Sequence, residues 1–202
     1  MSRLYAGVFA AVGWFAIVGQ FFLTPTSAGN YFSYFTILSN VLVALTLTSV
    51  ALMPDSGIGR LLTRPIVATS TAVYITVTGL VYYFLLAALY DLEGWTKQFD
   101  HILHYVVPPA YVLFWLAFVR KGTLHVGSIP WMLIAPLAYG VYTLARGPFV
   151  GWYPYPFIDV TDLGYPHVFR NIVEFVVFFA FASSIYVLID HIVGRLRPAP
   201  AT

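Results

Sequence analysis

Apolar residues gather in long runs along this chain, and six of them, near 4–23, 33–53, 66–90, 98–119, 129–146 and 168–190, approach the roughly 20 residues that a helix needs to cross a bilayer. Between the runs stand Thr24-Pro25-Thr26, Met53-Pro54-Asp55-Ser56-Gly57, Asp91-Leu92-Glu93-Gly94, Arg120-Lys121-Gly122 and the longer segment 147–167. Turn-forming Gly and Pro, with charged residues in all but the first, mark these as connections. Arg3 ahead of Leu4–Leu23, with Thr26-Ser27-Ala28 behind, has the layout of a signal peptide. The run is longer than the roughly 7–15 residues of a secretory apolar core, so it reads as a first span. The pattern predicts an all-α, polytopic integral membrane protein: one domain over 1–202 with six transmembrane helices.

Composition agrees: 60% of the residues are hydrophobic, 18% are aromatic and only 9% are charged, with a mean hydropathy of +0.82. Such a balance lies outside the range of soluble domains. With no cysteine in the chain, disulfides, thiolate metal ligands and cysteine nucleophiles are excluded. The net charge of +2 carries no basic run of the kind that binds nucleic acid. The expected partners are therefore bilayer lipids, apolar ligands or other spans, with no nucleic acid, and nothing in the chain specifies an oligomeric state.

With the N-terminus inside, the inner connections and termini hold Arg3, Arg60, Arg64, Arg120, Lys121, Arg195 and Arg197. Lys97, Arg146 and Arg170 fall outside or at the outer boundary. Lys and Arg favour the cytoplasmic side, so both termini are expected to be cytoplasmic. The same orientation puts Asp91, Glu93, Asp100, Asp159 and Asp162 on the outer side. It also gathers Ser33, Thr36 and Asn40 of span 2, Asp100, His101 and His104 of span 4, and His167, Arg170, Asn171 and Glu174 of span 6 at one face. Ionisable groups near lipid are costly and mark functional sites by default.

Asp100 and His104 are four residues apart, on one helical face. Pro108 lacks the N–H that would bond the His104 carbonyl, and Pro109 does the same to Tyr105. A freed carbonyl in a membrane needs water, a side chain or a ligand. His104 is thus either a site residue in a wet pocket or a structural histidine bonded to a neighbouring span. Thr36 has Ser33 and Asn40 on its face. Its hydroxyl becomes a nucleophile only when a base takes its proton, and His104 could be that base, with Asp100 or Glu174 fixing the tautomer. Threonines in membrane helices more often bond their own backbone. Asn40 and Asn171 are candidate donors to an oxyanion. Arg170, paired at i, i+4 with Glu174, is either a carboxylate or phosphate ligand or an interfacial anchor. Gly151 to Asp159, rich in aromatics and proline and including Tyr155 and Phe157, reads as an interfacial belt, a lid over the pocket, or both. The stripe Thr71, Tyr74, Thr78 and Tyr82 on span 3 reads as inter-helix packing. His101-x-x-His104 with Asp100, His167 or Glu174 offers zinc a weak ligand set, and no cofactor is expected.

Phe35-Thr36-Ile37, His101-x-x-His104 and Trp152-Tyr153-Pro154-Tyr155-Pro156-Phe157, in that order across a six-span chain, resemble the androgen-induced membrane-protein family, which includes six-span bacterial members. Characterised animal members are threonine hydrolases that cleave fatty acid esters of hydroxy fatty acids with one threonine and one histidine. By motif position the resemblance implies Thr36 and His104 as catalytic residues; Tyr155 and Phe157 of the aromatic segment, with Arg170, are the expected substrate contacts. Asp100 and Tyr105 stand where the animal pattern has Asn and Thr, and the interval between the motif threonine and histidine is shorter here. The resemblance implies an intramembrane lipid-ester hydrolase in a bacterial inner membrane. A non-catalytic lipid or small-molecule binding or transport protein, with His104 as a proton-coupled gate, and a zinc-dependent membrane hydrolase are the alternatives.

Overall fold

The computed structural model describes residues 1–196, so Arg197 of the charge count lies outside the described residues. Among the described residues six helices are long and apolar enough to cross a membrane: Ser2–Leu23, Phe35–Leu52, Pro65–Leu89, Gly94–Phe118, Val126–Val150 and Val160–Leu196, spans 1 to 6. The chain is a multi-pass integral membrane protein. An even number of crossings returns residue 196 to the side of the N-terminus.

Span 1 packs along span 2 through small residues. Ala6, Ala10, Gly13 and Ala16 are buried on one stripe, and a Cβ placed on Gly13 would lie 3.7 Å from that of Ala44. Close backbone approach of this kind joins helices in lipid, where apolar area alone gives no drive. The opposite faces stay apolar and exposed. On span 6, Phe169, Val173, Val177, Phe181, Leu188 and Ile192 line one side, the side presented to acyl chains.

The first connection holds a short helix, Ala28–Tyr31. Ser27 of the signal-like tripeptide caps it, its Oγ accepting the Asn30 N–H at 3.2 Å. The helical segment of span 6 starts earlier than its apolar run, at Val160, but it is broken by a kink at Gly164, whose φ of 72° and ψ of 157° are not helical. Spans 3 and 4 depart most from a regular helix. Span 3 widens into a π turn over Tyr82–Leu86 and span 4 into another over Ile102–Val106. In span 4 the prolines are the cause. With no N–H on Pro108 or Pro109, the Val107 N–H reaches back to the Ile102 carbonyl, and one residue bulges out.

At the end away from the site, the 120–124 connection is fastened to span 6. The Asp190 carboxylate accepts the N–H groups of Thr123 and Leu124 at 2.9 and 3.0 Å, and the Gly122 N–H donates to the Asp190 carbonyl at 3.1 Å. Lys121, one of the basic residues of the inner connections, is buried. Its ammonium sits 3.8 Å from the Trp115 ring centroid and donates to the Val119 carbonyl at 2.9 Å and to that of Trp115.

Candidate functional site

Thr36 occupies the first turn of span 2, which begins at Phe35. The first N–H groups of a helix have no intrahelical acceptor, so the backbone around Thr36 presents free donors and the positive end of the helix dipole. The Thr36 N–H donates to the Tyr155 Oη at 3.1 Å. The Thr36 hydroxyl lies 3.3 Å from the same phenol oxygen and 3.3 Å from His104 Nε2. Residues 36, 104 and 155 therefore meet from three separate parts of the chain.

The His104 tautomer follows from its other nitrogen. Nδ1 lies 2.9 Å from the Asp100 carbonyl oxygen and 3.2 Å from its Oδ1. A carbonyl only accepts, so Nδ1 carries the proton, and in the neutral ring Nε2 is left as an acceptor facing the Thr36 hydroxyl. Asp100 is in turn held by the Tyr82 hydroxyl, which donates to Oδ2. The Tyr82 ring lies flat on His104, centroids 3.7 Å apart and planes 13° apart. Both His104 and Asp100 are 8% exposed. The hydrogen bonds thus run one way: Tyr155 to Thr36, Thr36 to His104, His104 to Asp100, with Tyr82 closing on the carboxylate.

The π turn of span 4 places His104. Its carbonyl, denied a donor at both Pro108 and Pro109, turns to span 3, where a Cβ on Gly79 would stand only 3.2 Å away. A glycine admits that carbonyl where a larger residue would crowd it.

Asn40 is fully buried, but its Nδ2 donates to the Thr36 and Leu103 carbonyls at 2.9 and 3.2 Å. Those bonds clamp span 2 to span 4 and leave no amide proton for an oxyanion. Asn171 is also engaged elsewhere, donating to the Phe157 carbonyl at 2.8 Å, and so steadies the aromatic segment from outside. Arg170 and Glu174 form an exposed pair 3.6 Å apart, 67% and 66% accessible, away from Thr36 and His104. Glu174 therefore does not orient His104; Asp100 does. Exposed His101 packs against Tyr105, centroids 5.5 Å apart. Among the described residues no three His, Asp or Glu side chains are grouped to hold a metal ion.

Residues 151–159 turn inward. Tyr153 and Tyr155 are buried, and Tyr155 stacks on Phe157 at 5.1 Å and meets Tyr34 edge-on at 5.6 Å. Burial pushes the Tyr155 phenol up to about 12, against the pull of its bonds to Thr36. It therefore stays protonated, a neutral donor beside the threonine. Tyr82 reads in the sequence as part of a packing stripe, yet it touches both Asp100 and His104. Only its four-residue step from Thr78 hints that it shares the site face.

Two cavities meet at Thr36. One, of about 90 Å³, is apolar and lies among spans 2, 3, 5 and 6, with Val77, Val81, Ile172 and Phe179 in its wall. The other, of about 220 Å³, is more polar and includes Gln20, Tyr34, Tyr82, Asp100 and His104. Thr36, Leu86 and Tyr155 belong to both walls. Comparison with known protein families, with characterised proteins and with solved structures finds no match to this chain.

Proposed function

We propose that this protein is an intramembrane threonine hydrolase that cleaves a lipid carboxylic ester. The observation that carries the reading is the Thr36 hydroxyl 3.3 Å from the acceptor nitrogen of His104, with His104 fixed by Asp100 on its other side. Nucleophile, base and orienter stand in the order that acyl transfer requires, at the slightly long spacing of a ligand-free site. The resemblance of the Thr36, His104 and Tyr155 motifs to the androgen-induced membrane-protein family points the same way.

In the proposed reaction the Thr36 oxygen bonds to the acyl carbon as its proton passes to His104 Nε2. The carbonyl oxygen becomes an oxyanion, met by the Tyr155 hydroxyl and by free N–H groups of the first turn of span 2, such as that of Ile37. These donors are fixed before reaction begins, the arrangement that contributes most to acyl-transfer rates. Collapse breaks the ester C–O bond, and the leaving alkoxide takes the proton from Nε2. Water then attacks the acyl-threonine, giving up a proton to His104. The carboxylic acid leaves as Thr36 recovers that proton. One ester and one water become one acid and one alcohol. The proposed setting is a bacterial inner membrane, with the site toward the outer leaflet, as the Lys and Arg bias implies.

The test is covalent labelling of the purified chain by a fluorophosphonate probe, together with turnover of a p-nitrophenyl acyl ester. Wild type is expected to label and turn over, and Thr36→Ala and His104→Ala each to lose both. Labelling that persists at full level in folded Thr36→Ala would overturn the assignment.

A further inference from the structure

The larger cavity supplies hydrogen bonds without a cation. Gln20, Tyr34, Tyr90 and Thr96 contribute polar side chains to its wall; among the described residues Asp100 is its only acidic residue and neither Lys nor Arg lines it. Asp91 and Glu93 flank Leu92, another wall residue. The basic residues of this end lie elsewhere. Arg170 pairs with Glu174 at the exposed surface, Arg146 donates to Asn30 Oδ1 at 2.6 Å, and Lys97 is exposed. A carboxylate or phosphate brought into this cavity would lose its water, gain no counter-charge and face the Asp100 carboxyl group.

A neutral hydroxyl meets the opposite reception. Gln20 belongs to the wall of this cavity, and its Oε1, buried behind that wall, has no hydrogen-bond partner. A buried acceptor left unpaired is destabilising, and one in a binding cavity awaits a donor from a ligand. The smaller cavity on the far side of Thr36 offers mostly aliphatic and aromatic side chains. The junction is therefore asymmetric, with an apolar arm for an acyl chain and a polar arm without Lys or Arg for the alcohol.

We infer that the alcohol half of the substrate is a neutral, hydroxyl-bearing group, as in a monoacylglycerol, and that Gln20 recognises it. This rests on the hydrolase reading above and narrows it: an ester whose alcohol half ends in a free carboxylate is disfavoured. Gln20 is a specificity residue, accepting a hydroxyl proton of the alcohol while Thr36 attacks the acyl carbon.

Three esters of one acyl chain separate the possibilities: 1-oleoylglycerol, methyl oleate and 12-(oleoyloxy)stearic acid, each presented to the purified full chain in uncharged detergent. The glycerol ester is expected to exceed the acidic ester in kcat/KM by tenfold or more. In Gln20→Leu the ratio of glycerol ester to methyl ester is expected to fall about fivefold, the worth of one neutral hydrogen bond, with the change in KM. Gln20→Asn, which keeps the amide but shortens its reach, gives the same reading where the leucine variant does not fold. An acidic ester turned over as fast as the glycerol ester, with Thr36→Ala silencing both, would overturn this inference and leave the hydrolase standing. An unchanged ratio in both folded Gln20 variants would overturn the recognition assigned to Gln20. No turnover of any ester, with no probe labelling, would overturn the hydrolase reading and this inference with it.

Discussion

Tyr155 does two things at the site through one oxygen. It accepts the Thr36 N–H at 3.1 Å and, with the Thr36 hydroxyl donating to His104, gives its own proton to the Thr36 oxygen over 3.3 Å, a proton that turns to the developing oxyanion once the threonine oxygen bonds to the acyl carbon. Removing one such donor commonly costs on the order of 10²-fold in kcat. Tyr155→Phe is expected to lower kcat for a p-nitrophenyl ester by that amount with little change in KM, since the ring and its stacking on Phe157 remain. An equal loss carried wholly by KM would mark Tyr155 as a substrate contact only. The pH dependence has a definite sign. Because burial raises the phenol to about 12, the donor persists through the range where an ordinary tyrosine ionises, near 10. Its contribution to kcat should hold from about pH 8 to about pH 10.5, and a fall centred near 10 would contradict it. Stability carries the same sign. An unfolded Tyr155 ionises first, so its contribution is intact below about pH 10 and declines as pH rises toward 12.

The helices explain why the site can form at all, and how far it is legible in the sequence. Pro108 and Pro109 announce a break in span 4 and a freed carbonyl at His104, because the missing N–H groups are a local property of the chain. The form of the break is not local. A kink, a gap filled by water and a π turn all satisfy the same prolines, and the choice depends on Gly79 of span 3 admitting the carbonyl. Residue type, spacing and topology gather Thr36, Asp100 and His104 among the polar groups of one end, while it is the motif resemblance that pairs Thr36 with His104. Asn40, Asn171 and Glu174 are legible as polar groups at the right end, but their partners depend on helix rotation, which apolar runs do not encode. A π turn adds one residue to the register, so its removal rotates the remainder of the helix by roughly 100°. Replacing both prolines by alanine restores two donors and should let the turn anneal. The double variant is expected to retain or raise its melting temperature in detergent while losing ester turnover by tenfold or more, because His104 turns from Thr36. Unchanged turnover with an unchanged fold would mean that the π turn does not position the histidine. At the far end, Asp190→Ala leaves the Thr123 and Leu124 N–H groups without their buried acceptor. A loss of about 2–4 kcal/mol is expected, read as a lower unfolding midpoint with turnover at low temperature retained.

Across the whole bundle, the site is a junction rather than a pit. Spans 1 and 4 bound the polar arm and spans 5 and 6 the apolar arm. Spans 2 and 3 run between, and Tyr155 from the inward-turned segment stands at the crossing beside Thr36. An ester bond is the natural occupant of such a crossing, because its two sides differ in chemistry and reaction separates them. The division can be tested by altering one arm alone. Gly140 lines the apolar cavity, and a Cβ added there meets nothing within 4 Å. Gly140→Leu therefore projects a side chain without a backbone clash, and at a helix-interior position it also removes the conformational cost of glycine. The variant should fold at least as stably as wild type and narrow the apolar arm. With the alcohol half held constant, its preference among acyl esters should move toward shorter chains, the kcat/KM ratio of C8 over C18 rising about tenfold. The preference for glycerol over methyl esters of a short acid should not move, since that choice is made on the other side of Thr36. A loss spread evenly over all chain lengths, or a shift in alcohol preference with none in chain length, would show that the acyl chain does not lie in the arm beside span 5.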